Sequence, residues 1–297
     1  QMTIDFKNNN LNGNSSLNEL YKSSKARVCV TVGMMTTGYD CKDLLNICLF
    51  RPVFSPTEFI QMKGRGTRLF DFKELWKDEK EIPKTINSIK SSFKVGNKFE
   101  IKHFDAITPD QVKTCLHSLK IKWNYPWQGV VNDFATGLIK SAYVTRNPNA
   151  RIACAISHYM LWQACVYDDE PFLILEHDAY FQKAINFDFK DVKFDIIGIN
   201  NPLGCTRKSR EYYQKIIDSD KQYMASPWID KPVVPQGLAG NSAYIIKPAG
   251  AKQMLDLVNE FGLWPNDAIM CRQLVPKLGV TRKFYTTRQN IKSTTTQ

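Results

Sequence analysis

Residues 149–181 constrain this chain more than any other stretch. Asn149–Trp162 reads NARIACAISHYMLW, and its apolar stripe runs on from Ile152 to Tyr167, which predicts a long helix with a buried face. Pro171–Phe181 follows as PFLILEHDAYF. Its apolar run, Phe172–Leu175, is stopped by acidic residues and reads as a buried strand. A long helix feeding directly into a buried strand belongs to an α/β architecture. The carboxyl end of a strand in such a sheet is where ligands commonly bind. Two acids one residue apart on an extended segment point to the same side. Glu176 and Asp178 are therefore candidate ligands for Mn²⁺ or Mg²⁺ set against a diphosphate. A solvated strand end also carries acids, so spacing alone leaves both readings open.

The alternation continues on either side. Arg27–Gly33 and Leu44–Phe50 read as strands, and Ser55–Gly64 as the start of a helix. Phe72–Lys84 is charged, with Pro83 near its end, and marks the expected boundary between residues 1–83 and 84–285. Beyond it, Phe99–Phe104 reads as a strand. Thr108–Leu119 reads as a helix with Pro109 in its first position, and 121–150 as loop-rich. Phe194–Ile199 and Ser242–Ile246 read as strands, and Ala249–Glu260 as a helix. Gly204–Ser226 reads as a mobile or partly helical insertion, and 286–297 as a polar, frayed tail.

Composition excludes some classes without choosing among the rest. Hydrophobic residues make up 43% and charged residues 23% of the 297, as in a folded protein. A net charge of +11 attracts nucleic acid, nucleotide phosphates or an anionic membrane surface alike. The eight cysteines are widely spaced with no CxxC pair, so reduced thiols are expected rather than a disulfide framework. With only four histidines, His103, His117, His158 and His177, a dedicated zinc site is not expected. No apolar run reaches transmembrane length and no signal-peptide core is evident. The expected location is the cytoplasm, free or peripheral to a membrane surface. The chain opens on Gln1 rather than Met, as a processed or excised piece does.

Two groups of motifs carry resemblances. Val30–Asp40 (VTVGMMTTGYD) and Ser55–Arg68 (SPTEFIQMKGRGTR) resemble the last two motifs of superfamily 2 helicase-like ATPases, most closely the motor subunit of type I restriction enzymes. The resemblance implies a partial RecA-like lobe in which Thr37–Gly38–Tyr39–Asp40 lines the nucleotide side and Gln61, Arg65 and Arg68 face an ATP cleft. No GxxxxGK[ST] loop or downstream DExH-type acidic motif accompanies them, so ATP hydrolysis has no donor site.

The second group covers roughly residues 84–285. Cys154, Ser157, His158 and Trp162 on the helix, followed by Glu176 and Asp178, resemble the pattern of glycosyltransferase family 25. That family includes lipooligosaccharide and collagen galactosyltransferases. His177 stands where the family has a middle acid. His103–Phe104–Asp105–Ala106, Gly240–Gly250 (GNSAYIIKPAG) and Pro265–Asn266–Asp267 resemble further elements in the expected order. The opening nucleoside-binding strand, with its INLxR-like signature, has no counterpart in 84–98.

The resemblance implies a GT-A-like domain after the partial helicase lobe, and inverting transfer of a hexose, galactose or glucose, from a UDP-sugar to a glycan or protein hydroxyl. Asp178, helped by Glu176, would bind the metal, and Arg146 and Arg151 either meet the diphosphate or are ordinary surface arginines. Asp267 is the candidate general base, or else a cap for the helix after it. His158 either hydrogen-bonds the acidic strand end or the acceptor, or packs on Trp162 one turn away. Gly237, Gly240 and Asn241 would form a cleft loop, with the glycines meeting turn geometry. The alternative is a non-enzymatic nucleic-acid-binding or relic protein, with basic segments at 63–68, 207–210 and 281–292.

Overall fold

The computed structural model describes residues 82–289, apart from 103, 206 and 207, and these belong to one compact unit of the chain, Lys80–Gln297. The motor-like motifs between residues 28 and 72 lie outside the described residues. The unit opens with α1 (Ile82–Lys94), α2 (Val112–Leu119) and the hairpin β1 (Val130–Asp133) and β2 (Leu138–Ser141). Next come α3 (Pro148–Asp168), β3 (Phe172–Leu175), β4 (Ala179–Phe181), β5 (Ile196–Gly198), α4 (Ser209–Ile217) and β6 (Tyr223–Ala225). The unit closes with β7 (Ala243–Ile246), α5 (Pro248–Phe261), α6 (Asn266–Ile269), β8 (Leu278–Thr281) and β9 (Thr286–Arg288).

The central sheet has the order β3-β7-β5-β8-β6. Only β5 and β8 run parallel; the other neighbours are antiparallel. β7 reads AYII, and all four residues are buried. Tyr244 and Ile246 enter the core that α3 and α5 cover, while Ala243 and Ile245 enter a second core with Phe194 and Tyr285. A strand covered on both faces carries an unbroken apolar run, which is why β3, β5 and β7 were legible as short hydrophobic stretches. A separate ribbon pairs β4 with β9, and α1 packs on β4, where Phe181 N donates to Ser91 Oγ at 2.8 Å.

α3 starts where its sequence tells it to. The Asn147 side chain accepts from Ala150 N at 3.2 Å and Pro148 occupies the first turn, so α3 begins four residues before the apolar stripe. Burial of Ile156 on α3 and Met254 on α5 stabilises the pair by roughly 1.5–3 kcal/mol each. Gly279 on β8 admits the Phe194 ring, because a Cβ there would lie 2.4 Å from it.

Several expectations change. Residues 99–102 and 104 form no strand; Glu100, Ile101 and Lys102 are exposed, and a sheet edge with no partner has nothing to bond. Residues 84–94 are helical, as part of α1. α2 begins at Val112, not at Thr108, because Thr108 N donates to Gln111 Oε1 at 3.0 Å in a preceding turn. The loop-rich stretch 121–150 contains the β1–β2 hairpin, closed by Gly137 N donating to Asp133 O at 2.8 Å. The expected mobile insertion holds α4, anchored by buried Tyr212 and Ile216, and the edge strand β6. The start of the expected frayed tail is β9, whose Thr286 is fully buried. The five cysteines among the described residues, Cys115, Cys154, Cys165, Cys205 and Cys271, are free. No helix among the described residues is long and apolar enough to cross a membrane.

Candidate active site

The strand register brings the chemistry to one edge of the sheet. β3 ends opposite the start of β7, with Leu175 paired to Ala243, and β5 ends there too, with Gly198 paired to Tyr244. Glu176, Asn200 and Asn241–Ser242 are therefore neighbours although far apart in sequence. Glu176 N donates to Ser242 O at 2.8 Å, and Ile199 N to Ala243 O at 3.3 Å. Glu176 and Asp178 do not sit on an extended strand end as the spacing implied. They occupy a turn between β3 and β4, closed by Ala179 N donating to Glu176 O at 3.0 Å. Gln289, the residue after β9, fixes that turn from the other side, since its N donates to Asp178 O at 2.8 Å.

Buried polar atoms without partners collect at this edge. They are Asp178 Oδ1, Asn200 Nδ2, and both Nδ2 and Oδ1 of Asn241. Buried polar groups are normally paired, and an orphan costs about 1–3 kcal/mol, so four in one place point to a ligand that completes them. Burial, and then the Glu176 charge, push the Asp178 carboxyl above the usual range; His177, a hydrogen bond from Ser242, and Arg288 pull it back. Gly240 has φ +81, and a Cβ there would approach Asn200 Nδ2 to 3.0 Å, so glycine lets this loop close on Asn200. Gly237 is held more tightly: its Cβ would lie 2.1 Å from Asp267 O.

α3 forms the floor. His158 is buried, and its Nε2 lies 3.1 Å from Glu176 Oε1 while Nδ1 lies 2.8 Å from Tyr244 Oη. Trp162 Nε1 donates to the same Oη at 2.9 Å. A carboxylate can only accept, which assigns the imidazole proton to Nε2 and makes Nδ1 the acceptor of the Tyr244 hydroxyl. Both sequence readings of His158 thus meet in one arrangement, because it binds the acidic turn and also packs against Trp162, with ring centroids 6.4 Å apart. Tyr244→Phe removes the shared oxygen and leaves Trp162 Nε1 and His158 Nδ1 buried without partners. The expected loss is about 1–3 kcal/mol per orphaned group, read as a lower urea midpoint at unchanged slope.

Asp267 and Arg151 complete the wall. Asp267 is half-buried in the first turn of α6, where Pro265 holds the cap position, so its carboxylate is not the cap. Burial raises its pKa to about 6; Arg151 opposes the rise and Glu176 adds to it. Arg151 donates through Nε to Thr145 Oγ1 at 2.7 Å and stacks over Tyr143 at 5.1 Å, so its head is steadied near the site. Cys154, one turn before His158, is kept a thiol by burial and by the Glu176 and Asp267 charges. Arg146, in contrast, is exposed on the loop before α3.

Glu176, Asp178, His158, Arg151, Asp267, Gly240 and Asn241 thus converge on one edge. Sequence reasoning did not find Asn200, Ser242 or Arg288. Asn200 follows the apolar run of β5 just as Glu176 follows β3, so the rule that flagged the acids would have flagged it. Arg288 lies in the polar stretch that reads as a tail, and only β9 pairing brings it near Asp178.

A family model described as Glycosyltransferase family 25 (LPS biosynthesis protein) matches residues 79–270, more than half of the chain and all of α1 through α6. The match does not include the motor-like motifs. No curated protein matches the chain.

Proposed function

The chain belongs to glycosyltransferase family 25, and from that premise we propose that it transfers a hexose, galactose or glucose, from a UDP-sugar to a hydroxyl of a glycan or protein acceptor. The observation that carries the reading is the group of orphaned polar atoms on Asp178, Asn200 and Asn241 gathered at the strand ends. A mixed sheet with its cleft at that edge is read as a GT-A-like domain.

Each residue then has a task. A divalent cation suits the Glu176–Asp178 turn, because Asp178 Oδ1 is buried without a partner and two acids there repel each other. When bound, Mn²⁺ or Mg²⁺ neutralises diphosphate charge and eases departure of UDP. His158, oriented by Tyr244, holds Glu176 in place. The amides of Asn241 and Asn200 offer a donor–acceptor pair and a donor to hydroxyl or carbonyl groups of the nucleotide sugar. Asp267, with a pKa of about 6, is ionised at neutral pH. It takes the proton from the acceptor hydroxyl as that oxygen attacks the anomeric carbon. Arg151 and Arg288 supply positive charge at the two ends of the site.

The test is calorimetric titration of the full chain with UDP-galactose and UDP-glucose, with and without Mn²⁺. Binding that requires the metal is the expected result. Absence of binding to either sugar nucleotide would remove the donor assignment.

A further inference from the structure

We propose that the face of α3 turned toward Glu176 is a second metal site, for a soft divalent ion of the zinc class, formed by Cys154 Sγ, His158 Nε2 and a Glu176 carboxylate oxygen. These three donor atoms lie within 4.8 Å of one another. Cys154 and His158 stand four residues apart on α3, so both project from one helical face. Glu176 reaches them from the turn after β3, where its own backbone is tied to Ser242, the residue before β7. Sequence spacing gave no hint of this set, because the third ligand comes from a different element.

The geometry is near what zinc needs. Bonds of about 2.0–2.3 Å in a tetrahedron place neighbouring donors about 3.3–3.6 Å apart. His158 Nε2 and Glu176 Oε1 already stand 3.1 Å apart. Cys154 must swing inward, and what it gives up is a 3.9 Å contact with Asn266 Oδ1, a weak one. A thiolate, an imidazole and a carboxylate form a donor set for zinc, whereas Mg²⁺ and Mn²⁺ favour oxygen ligands. A fourth position stays open for water.

Charge and protons balance. Binding releases the Cys154 thiol proton to solvent, and the imidazole proton moves from Nε2 to Nδ1, where it donates to Tyr244 Oη. That oxygen then accepts from both Trp162 Nε1 and His158 Nδ1. The Tyr244 hydroxyl proton loses its acceptor, a cost the metal bonds must exceed. Thiolate and carboxylate neutralise the ion, and Tyr244 acts as the outer partner that orients a metal-bound histidine. Glu176 serves both this site and the proposed donor metal, so zinc here withdraws an oxygen from the donor site. That consequence rests on the transferase reading; the binding itself does not.

Cobalt(II) alone, added to the purified full chain, tests it. The expected result is a thiolate-to-cobalt charge-transfer band in the near ultraviolet with intense visible bands of a four-coordinate ion, all bleached by zinc(II). Cys154→Ser and Cys154→Ala should each abolish the charge-transfer band while circular dichroism is retained, and Asp178→Asn should leave it. No such band, or a band that survives in both Cys154 variants, overturns the proposal. Because no nucleotide sugar is present, the outcome is independent of whether the chain transfers sugar.

Discussion

Asp178→Asn is expected to abolish Mn²⁺-dependent binding of a UDP-sugar while leaving the domain at least as stable as before. Asp178 Oδ1 is buried without a partner, and its carboxyl is raised by burial and by Glu176. Such a charge is a burden on the apo fold unless a cation joins it. Asparagine keeps the size and removes the charge, so the melting temperature should hold or rise. Donor affinity should fall by more than the roughly 10–100-fold that outer-shell partners of a metal typically cost. Proton and metal compete for the same oxygens. Metal-dependent binding by the wild type should therefore weaken, as pH is lowered, at a higher pH than an ordinary carboxylate would give. Calorimetry at several pH values reads both effects. Unchanged Mn²⁺ dependence in the asparagine variant would sink the ligand role.

What could be read in advance follows from the kind of signal each element leaves. β3, β7 and α5 came through within a residue or so, because strands buried on both faces are unbroken apolar runs and α5 opens on Pro248. The apolar stripe marks only part of α3, since its Asn147–Pro148 start lies outside that stripe. The β1–β2 hairpin leaves no apolar alternation in the sequence, because Val130 and Val131 on β1 are exposed and β2 buries the charged Lys140 beside Leu138. The acids of the site were legible as acids, but not their geometry: a turn, not an extended strand, carries Glu176 and Asp178. Asn200 and Arg288 depend on strand order, which no local pattern encodes, and Cys154 and Glu176 meet only through packing of α3 on the sheet.

Asp267→Asn should separate catalysis from stability in the opposite sense to ordinary damage. The folded-state pKa of Asp267 is about 6, above the ordinary 3.8, with burial the largest cause. A raised carboxyl means the folded chain binds more protons than the unfolded one between those values. Its contribution to stability is therefore greatest at low pH and declines as pH rises to about 6. At neutral pH the buried charge costs on the order of 2 kcal/mol, after discount for the side chain's partial exposure. Asparagine relieves that cost, so the variant should melt higher at pH 7 and lose the slope of stability between about pH 4 and 6. If Asp267 is the base, transfer should fall by about 10²- to 10⁴-fold. UDP-sugar affinity should hold, since the acceptor side alone has lost its proton acceptor. In the wild type, kcat/KM should rise with pH through about 6 and level off, and this acidic limb should be absent from the residual activity of the variant. A variant that is both more stable and nearly inactive cannot be explained by disrupted packing. One that keeps the wild-type rate returns Asp267 to a structural place in α6 and assigns the proton to another group.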